Sequence, residues 1–78
     1  MLRVEYSQEA SNFFYDNGRL TFELMIAIEG LVFSDGLPKV GLHIEAVPGQ
    51  HTWTHLGYIV VYWIVENRLI VQVVIPVE

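Results

Sequence analysis

The sequence predicts an α+β fold in which two N-terminal helices pack on an antiparallel β-sheet that is formed mostly by the C-terminal half of the chain. Residues 58–77 consist of two β-branched and aromatic runs separated by a polar tripeptide, which is typical of a β-hairpin. Residues 20–33 carry apolar side chains at helical spacing. Helices that precede a run of strands, rather than alternating with them, favour the α+β class.

The first elements follow from simple periodicities. Alternation over residues 2–6 predicts a half-buried strand. Ser7 is a suitable N-cap for a helix, and Glu9 lies near the positive end of that helix. We expect the helix to stop at Asp16-Asn17-Gly18, because Asn and Gly accept the left-handed conformation of a C-cap.

The second helix is predicted from about Leu20 to Phe33. Its apolar residues cover most of the circumference, so we expect it to be covered on more than one side. We therefore predict a partner-binding surface on this helix, with Trp53 as an aromatic platform among the strands. Core packing explains the same residues and is the commoner role for a methionine. The candidate partner-binding residues are Leu20, Leu24, Met25, Ile28 and Trp53.

Four further strands are predicted after the loop at residues 34–38. Residues 40–45 alternate between apolar and polar side chains, and Val47-Pro48-Gly49-Gln50 predicts a type II turn before a strand over residues 52–54. The hairpin begins after Gly57, and Asn67 is the expected left-handed residue of its turn. Its first strand, Tyr58–Val65, is apolar on both faces, so we expect a central strand that is buried on both sides. Trp63→Asp should then unfold the domain, because it would bury an unpaired charge.

Composition limits the classes of function. Seventy-eight residues, 53% of them hydrophobic, predict a single domain spanning 1–78 that is marginally stable alone and seeks a partner, either another protein or a second copy of itself. The absence of cysteine fits a cytoplasmic protein. With four basic residues and a net charge of −5, direct strong binding of nucleic acid is not expected. The longest apolar run, residues 56–65, is too short to span a membrane.

Three histidines and one carboxylate are the candidate chemical groups. His51 and His55 would lie about 13 Å apart on a strand, so we expect no bound transition metal, although His43 could combine with one of the others across the turn. His43, Glu45 and His55 are the candidate catalytic residues, as acid and base, and a polar solvent-facing surface explains them as well. No motif for a cofactor is present, and none is expected.

Several short motifs resemble the RelE/ParE superfamily of toxins from bacterial type II toxin–antitoxin systems. Residues 4–10, VEYSQEA, are similar to the strand-to-helix start of that family, and residues 57–62, GYIVVY, are similar to one of its later strands. The resemblance extends along most of the chain. It implies the α+β fold given above, a bacterial protein and a cognate antitoxin as partner.

The departures from the family pattern bear on activity. The strand arginine that holds phosphate in the nuclease members falls on Ile59, and the chain ends without a basic or histidine-bearing tail. The resemblance therefore favours a toxin that acts by protein–protein binding, with a gyrase-type protein as one potential target. The alternatives are a ribosome-dependent endoribonuclease with an atypical site built from His43, Glu45, His51 or His55, and a non-toxic interaction module with the same fold.

Overall fold

The computed structural model describes all 78 residues, and its central feature is a five-stranded sheet with two helices on one face. The strand order is β1-β5-β4-β3-β2. The elements are β1 (Arg3–Tyr6), α1 (Gln8–Asn17), α2 (Phe22–Gly30), a 3-10 helix (Leu31–Ser34), β2 (Leu42–Val47), β3 (Gln50–His55), β4 (Tyr58–Val65) and β5 (Arg68–Pro76). The predicted α+β class is confirmed. The sheet is mixed, because β1 runs parallel to β5 while the remaining strands pair in antiparallel order.

The first helix begins where the sequence predicts, whereas the second begins at Phe22 instead of Leu20, and both end differently. Ser7 caps α1 through its side chain, which accepts a hydrogen bond from the Ala10 N–H at 3.0 Å. The expected left-handed C-cap is wrong, because Gly18 has right-handed angles (φ −49°, ψ −42°). The chain turns instead on the Asn17 carbonyl, which accepts hydrogen bonds from the N–H groups of Leu20 and Thr21. This tight connection places α2 directly after α1.

The core lies between the helices and one face of the sheet. Helix α2 is shorter than predicted, but its inward residues Leu24 and Ile28 are fully buried. On the sheet side, alternate residues of β4, Val60 and Tyr62, are also fully buried. The eleven residues of this core are Ala10, Phe14, Leu24, Ile28, Leu31, Trp53, Val60, Tyr62, Leu69, Val71 and Val74.

The other face of the sheet has no helix over it. The intervening residues of β4, Ile59, Val61 and Trp63, are therefore half-buried, and the expected burial of this strand on both sides is wrong. Strand β2 corrects a second expectation. His43 is paired with Trp53 and shares its helix-side face, whereas Leu42 and Ile44 lie on the uncovered face. The apolar residues of β2 thus face solvent.

The three strand connections are two-residue turns. The type II turn at Pro48-Gly49 is confirmed, with Gly49 at φ 87° between the paired residues Val47 and Gln50. In the β4–β5 turn, the left-handed residue is Glu66 (φ 56°) rather than the predicted Asn67. No helix in the structure combines the length and apolarity needed to cross a bilayer.

Candidate functional site

The β2–β3 hairpin brings His43, Glu45 and His51 together at the edge of the sheet. The Nε2 atom of His43 lies 2.7 Å from Nδ1 of His51, and the two ring planes differ by only 9°. The Glu45 carboxylate lies 3.9 Å from Nε2 of His51. The same carboxylate oxygen accepts a hydrogen bond from the Gly49 N–H at 2.9 Å, so the turn itself holds Glu45 in place. We call these three residues the histidine cluster.

His51 is the buried centre of this cluster. Its side chain is 4% exposed, and its ring packs parallel to that of Tyr62, with the centroids 4.9 Å apart. Burial lowers the pKa of His51, because the imidazolium form loses hydration; Glu45 opposes this shift, and His43 adds to it. Burial likewise raises the pKa of the Tyr62 phenol, which donates a hydrogen bond to the Gly36 carbonyl at 2.6 Å. Burial therefore favours the neutral forms of His51 and Tyr62.

The contact between the two rings defines what the cluster can do. One facing nitrogen must donate and the other must accept, so a proton can pass between His43 and His51. Such a relay is suited to general acid–base chemistry. No Lys or Arg side chain forms an ion pair with it: Arg3 and Arg68 lie on β1 and β5, across the sheet from β2, and Lys39, before β2, lines a depression beside Trp53. The cluster therefore provides a proton relay that no Lys or Arg side chain contacts through an ion pair.

His55 is separate from the cluster. Its ring packs parallel to the indole of Trp53, with centroids 5.0 Å apart, and makes no side-chain hydrogen bond to His43 or Glu45. The proposed catalytic trio of His43, Glu45 and His55 is therefore not assembled. The sequence left His51 open both as a metal ligand and as a member of an atypical His/Glu site, and the turn at Pro48-Gly49 positions residues 43 and 51 on adjacent strands.

No group of three or more His, Cys, Asp or Glu side chains has an arrangement that could hold a metal ion. The structure does bring His43 within hydrogen-bond distance of His51, the combination across the turn that the sequence left open. His51 and His55 lie at opposite ends of β3.

Only some of the predicted partner-binding residues are exposed. Leu24, Ile28 and Trp53 are at most 2% exposed, and the Trp53 indole donates to the Val40 carbonyl at 2.8 Å. They belong to the core, so their assignment to a docking surface is corrected. Met25 is half-buried, and Leu20 is 81% exposed. The large exposed apolar residues of this region, which we call the α2 patch, are Leu20, Phe22, Ile26 and Phe33.

The α2 patch borders a shallow cavity of about 410 Å³. Phe22, Ile26 and Phe33 line it together with the stem of Glu29 and the Gly30 backbone. A Cβ atom at Gly30 would meet nothing within 4 Å, so the backbone is open to close approach there. A side chain or helix from another protein could pack into this depression.

A second apolar surface lies on the uncovered side of the sheet. Cross-strand pairs place its residues in rows, for example Ile44, Thr52, Val61 and Val73. We call this surface the open face, and its residues are Leu42, Ile44, Thr52, Thr54, Ile59, Val61, Trp63, Ile70, Val73 and Ile75. Sequence reasoning expected this side of β4 to be covered and so did not identify the face.

Comparison with known proteins agrees with the fold at low sequence identity. No family model matches the chain, and no curated protein matches it. Among solved structures, the E. coli DinJ–YafQ complex contains a chain that is similar at a TM-score of 0.66 and 14% identity, covering 97% of this chain and 93% of that one. YafQ from E. coli strain BL21(DE3) and a histidine-to-glutamine variant of YafQ are each similar at a TM-score of 0.63, with the same identity and coverage. These similarities show that the chain has the fold of YafQ, in agreement with the α+β architecture predicted from the sequence.

Proposed function

We propose that this protein is the toxin component of a toxin–antitoxin pair and that it acts by binding other proteins. Its fold is similar over nearly the whole chain to that of YafQ, which has been crystallised in a complex with DinJ. The observation that carries the binding part of the proposal is the α2 patch. Four large apolar side chains, each between 56% and 82% exposed, lie along one helix and its flanks. Contiguous exposed apolar groups of this kind mark interaction sites.

The charges around the α2 patch define the chemistry of the partner. Glu23 and Glu29 are the charged residues of α2, and both are exposed; the one cation beside the patch is Arg19, which lines a depression with Leu20 and Phe22. Glu29 also accepts a hydrogen bond from the Tyr6 hydroxyl at 2.5 Å, which fixes that carboxylate beside the patch. A segment with apolar residues flanked by Lys or Arg would match this surface. We assign that segment to a cognate antitoxin.

Two features weigh against ribonuclease activity. Ile59, at the position that resembles the phosphate-holding arginine of the family, lies in an apolar row of the open face between Thr54 and Ile75. Arg68 is paired with the Glu5 carboxylate, at 3.1 Å, on the side of the sheet opposite the histidine cluster. Cleavage of RNA needs a positive group that stabilises the charged transition state, and neither Ile59 nor Arg68 supplies one beside His43.

The histidine cluster favours a second candidate function. His43 is half-buried, and His51 can relay its proton, so an atypical endoribonuclease would use this pair with Glu45. A gyrase-type target for the binding activity is a finer proposal that follows from the resemblance to the superfamily alone.

Co-expression with the neighbouring reading frame tests the binding proposal. We expect expression of this chain alone to arrest growth and the neighbouring product to restore growth and co-purify with it. Phe33→Glu should weaken both effects, because it places a charge in the α2 patch. The matched control is Ile44→Glu, an equally drastic change at an exposed residue on the other side of the sheet, which should leave capture of the antitoxin intact. Growth that is unaffected by the chain alone would contradict the toxin assignment.

Cleavage assays separate the two candidate functions. Purified protein should leave RNA intact, both free and on translating ribosomes. Specific cleavage that is lost in His43→Gln and retained in His55→Gln would contradict the binding proposal and assign the activity to the histidine cluster.

A further inference from the structure

The residue pattern of β2 indicates that the open face contacts another protein molecule when the protein functions. Leu42 and Ile44 are 72% and 61% exposed on the open face, while His43 between them faces the helices. A strand with one solvated face normally shows the reverse pattern, with polar residues outward. The neighbouring strands continue the same surface, since Ile59, Val61 and Trp63 of β4 lie on it without a helix above them.

We propose that the open face is the interface of a homodimer in which two copies pack their sheets face to face. The composition of successive strands makes the face complementary to itself. Strand β3 contributes the small residues Thr52 and Thr54, whereas the adjacent strand β4 contributes larger side chains. The two copies are related by a two-fold axis that runs parallel to the strands, midway between β3 and β4. This axis places β3 of one copy, with its small residues, opposite β4 of the other copy, with its large residues. The same axis sets β2 opposite β5, so that four strands overlap.

The charge distribution makes this face the part of the surface where two copies repel each other least. The chain carries thirteen charged residues and a net charge of −5, so two copies repel across most of their surfaces. None of the ten residues of the open face is charged. At its border Arg68 pairs with Glu5 within the same chain, with Nε 3.1 Å from the carboxylate, so this arginine does not need a partner from outside.

The size of the face predicts a weak dimer. Four strands spaced about 4.8 Å apart and five residues long give a footprint of about 20 by 17 Å. Specific interfaces of standard size bury about 800 Å² of accessible surface per partner, and this face lies at or below that value once its side-chain relief is included. We therefore expect an equilibrium between monomer and dimer with a dissociation constant on the order of micromolar.

Sedimentation of the isolated protein over a range of concentrations tests the proposal. The wild type should approach twice the chain mass of 9.0 kDa as the concentration rises from low micromolar to near-millimolar. Ile44→Glu should remain monomeric throughout, since two carboxylates would be buried in each dimer. Phe33→Glu, on the α2 patch, is the matched control and should dimerise like the wild type. A thermal melt of each variant confirms that it is folded, and Thr52→Arg serves as a second disruptive variant.

Three outcomes would overturn the homodimer. The first is a wild type that stays monomeric at every concentration. The second is a dimer that Phe33→Glu dissociates and Ile44→Glu does not. The third is a monomer whose capture of the antitoxin is abolished by Ile44→Glu, which would assign the open face to that partner instead. Because dimerisation is measured on the isolated chain, it can succeed or fail independently of the proposed toxin function.

Discussion

Leu56 has a backbone conformation that its side chain disfavours. It has a φ angle of 54° and precedes Gly57 at 82° in the two-residue turn between β3 and β4. Both positive angles belong to a type I′ turn, which prefers Asn-Gly. A left-handed backbone costs an ordinary residue about 1 kcal/mol relative to Asn or Gly. The leucine is 47% exposed, so little packing offsets this strain.

We predict that Leu56→Asn stabilises the protein by roughly 0.5–1 kcal/mol, because asparagine accepts the left-handed region. Chemical denaturation monitored by tryptophan fluorescence measures the change. Gly57→Ala, at the other left-handed position of the turn, is the opposing control and should lower the stability. A loss of stability in Leu56→Asn would mean that contacts of the leucine outweigh its strain.

His51 should make the stability of the fold dependent on pH. The pKa of His51 is lowered in the native protein, so the unfolded chain, with an ordinary pKa of 6.5, binds a proton more readily. The contribution of His51 is complete above pH 6.5 and is lost as the pH falls below that value. The groups that face His51 are His43, Glu45 and Tyr62.

We predict that the free energy of unfolding of the wild type falls more steeply between pH 7 and pH 5 than that of His51→Gln. Urea denaturation across this range measures both slopes. His55→Gln is the control, since His55 packs on Trp53 outside the cluster, and it should keep the steep wild-type slope. Parallel slopes in the wild type and His51→Gln would show that the burial of His51 does not perturb its titration.

At the scale of elements, Ser7 joins a helix to an irregularity in the sheet. Its hydroxyl caps α1 and also donates to the Gln72 carbonyl at 2.5 Å. Gln72 is the extra residue of a bulge, because Val61 pairs with Val73 while Tyr62 pairs with Val71. The bulge lets both Val71 and Val74 face the core, so one side chain stabilises the helix start and the strand that it packs against.

We predict that Ser7→Ala costs about 1–2 kcal/mol of stability, because both hydrogen bonds are lost. Ser7→Thr should restore most of it, since threonine can cap the helix and donate. Ser7→Asp separates the two roles, because a carboxylate can cap the helix but cannot donate to Gln72. If Ser7→Asp matched the wild type in thermal melts, the bond to the bulge would contribute nothing measurable.

Helix caps, turns and strands that depend on neighbouring residues could be predicted from the sequence. Which face of each strand packs against the helices could not. Ser7, the Pro48-Gly49 turn and the hairpin of residues 58–77 were identified because each rests on the chemistry of a few neighbouring residues. The left-handed residue of the last turn was assigned to Asn67 instead of Glu66, since only the register of β4 and β5 decides it. His43 was expected to face solvent because alternation indicates that two faces differ but not which one the helices cover. The histidine cluster depended on the same missing information.

At the scale of the whole molecule, the chain presents two apolar surfaces on opposite sides. The α2 patch lies on the outer side of the helical layer, and the open face lies on the outer side of the sheet. A chain with 53% hydrophobic residues and a single helical layer can cover only one face of its sheet. The exposed apolar surface that the composition indicated is thus divided between the α2 patch and the open face. This division allows one partner on each side of the molecule.

Strand β4 separates the core from the open face, so substitutions of its residues test the whole arrangement. Val60 is fully buried against the helices, whereas Trp63 is half-buried on the open face, and its indole donates to the Gln72 amide oxygen at 2.7 Å. We predict that Val60→Asp unfolds the protein, because an unpaired charge in the core costs several kcal/mol, comparable to the total stability of a small domain.

Trp63→Asp should instead leave a cooperative thermal transition at lower temperature and a monomeric protein at every concentration. The carboxylate on the open face can remain hydrated in the monomer but not between two packed sheets. Burial of β4 on both sides implied that Trp63→Asp would unfold the domain. The milder effect is expected because Trp63 lies on the open face, away from the helices. Circular dichroism melts and sedimentation of the two variants measure the outcome. A Trp63→Asp chain that is unfolded like Val60→Asp would show that the open face is part of the core of each monomer.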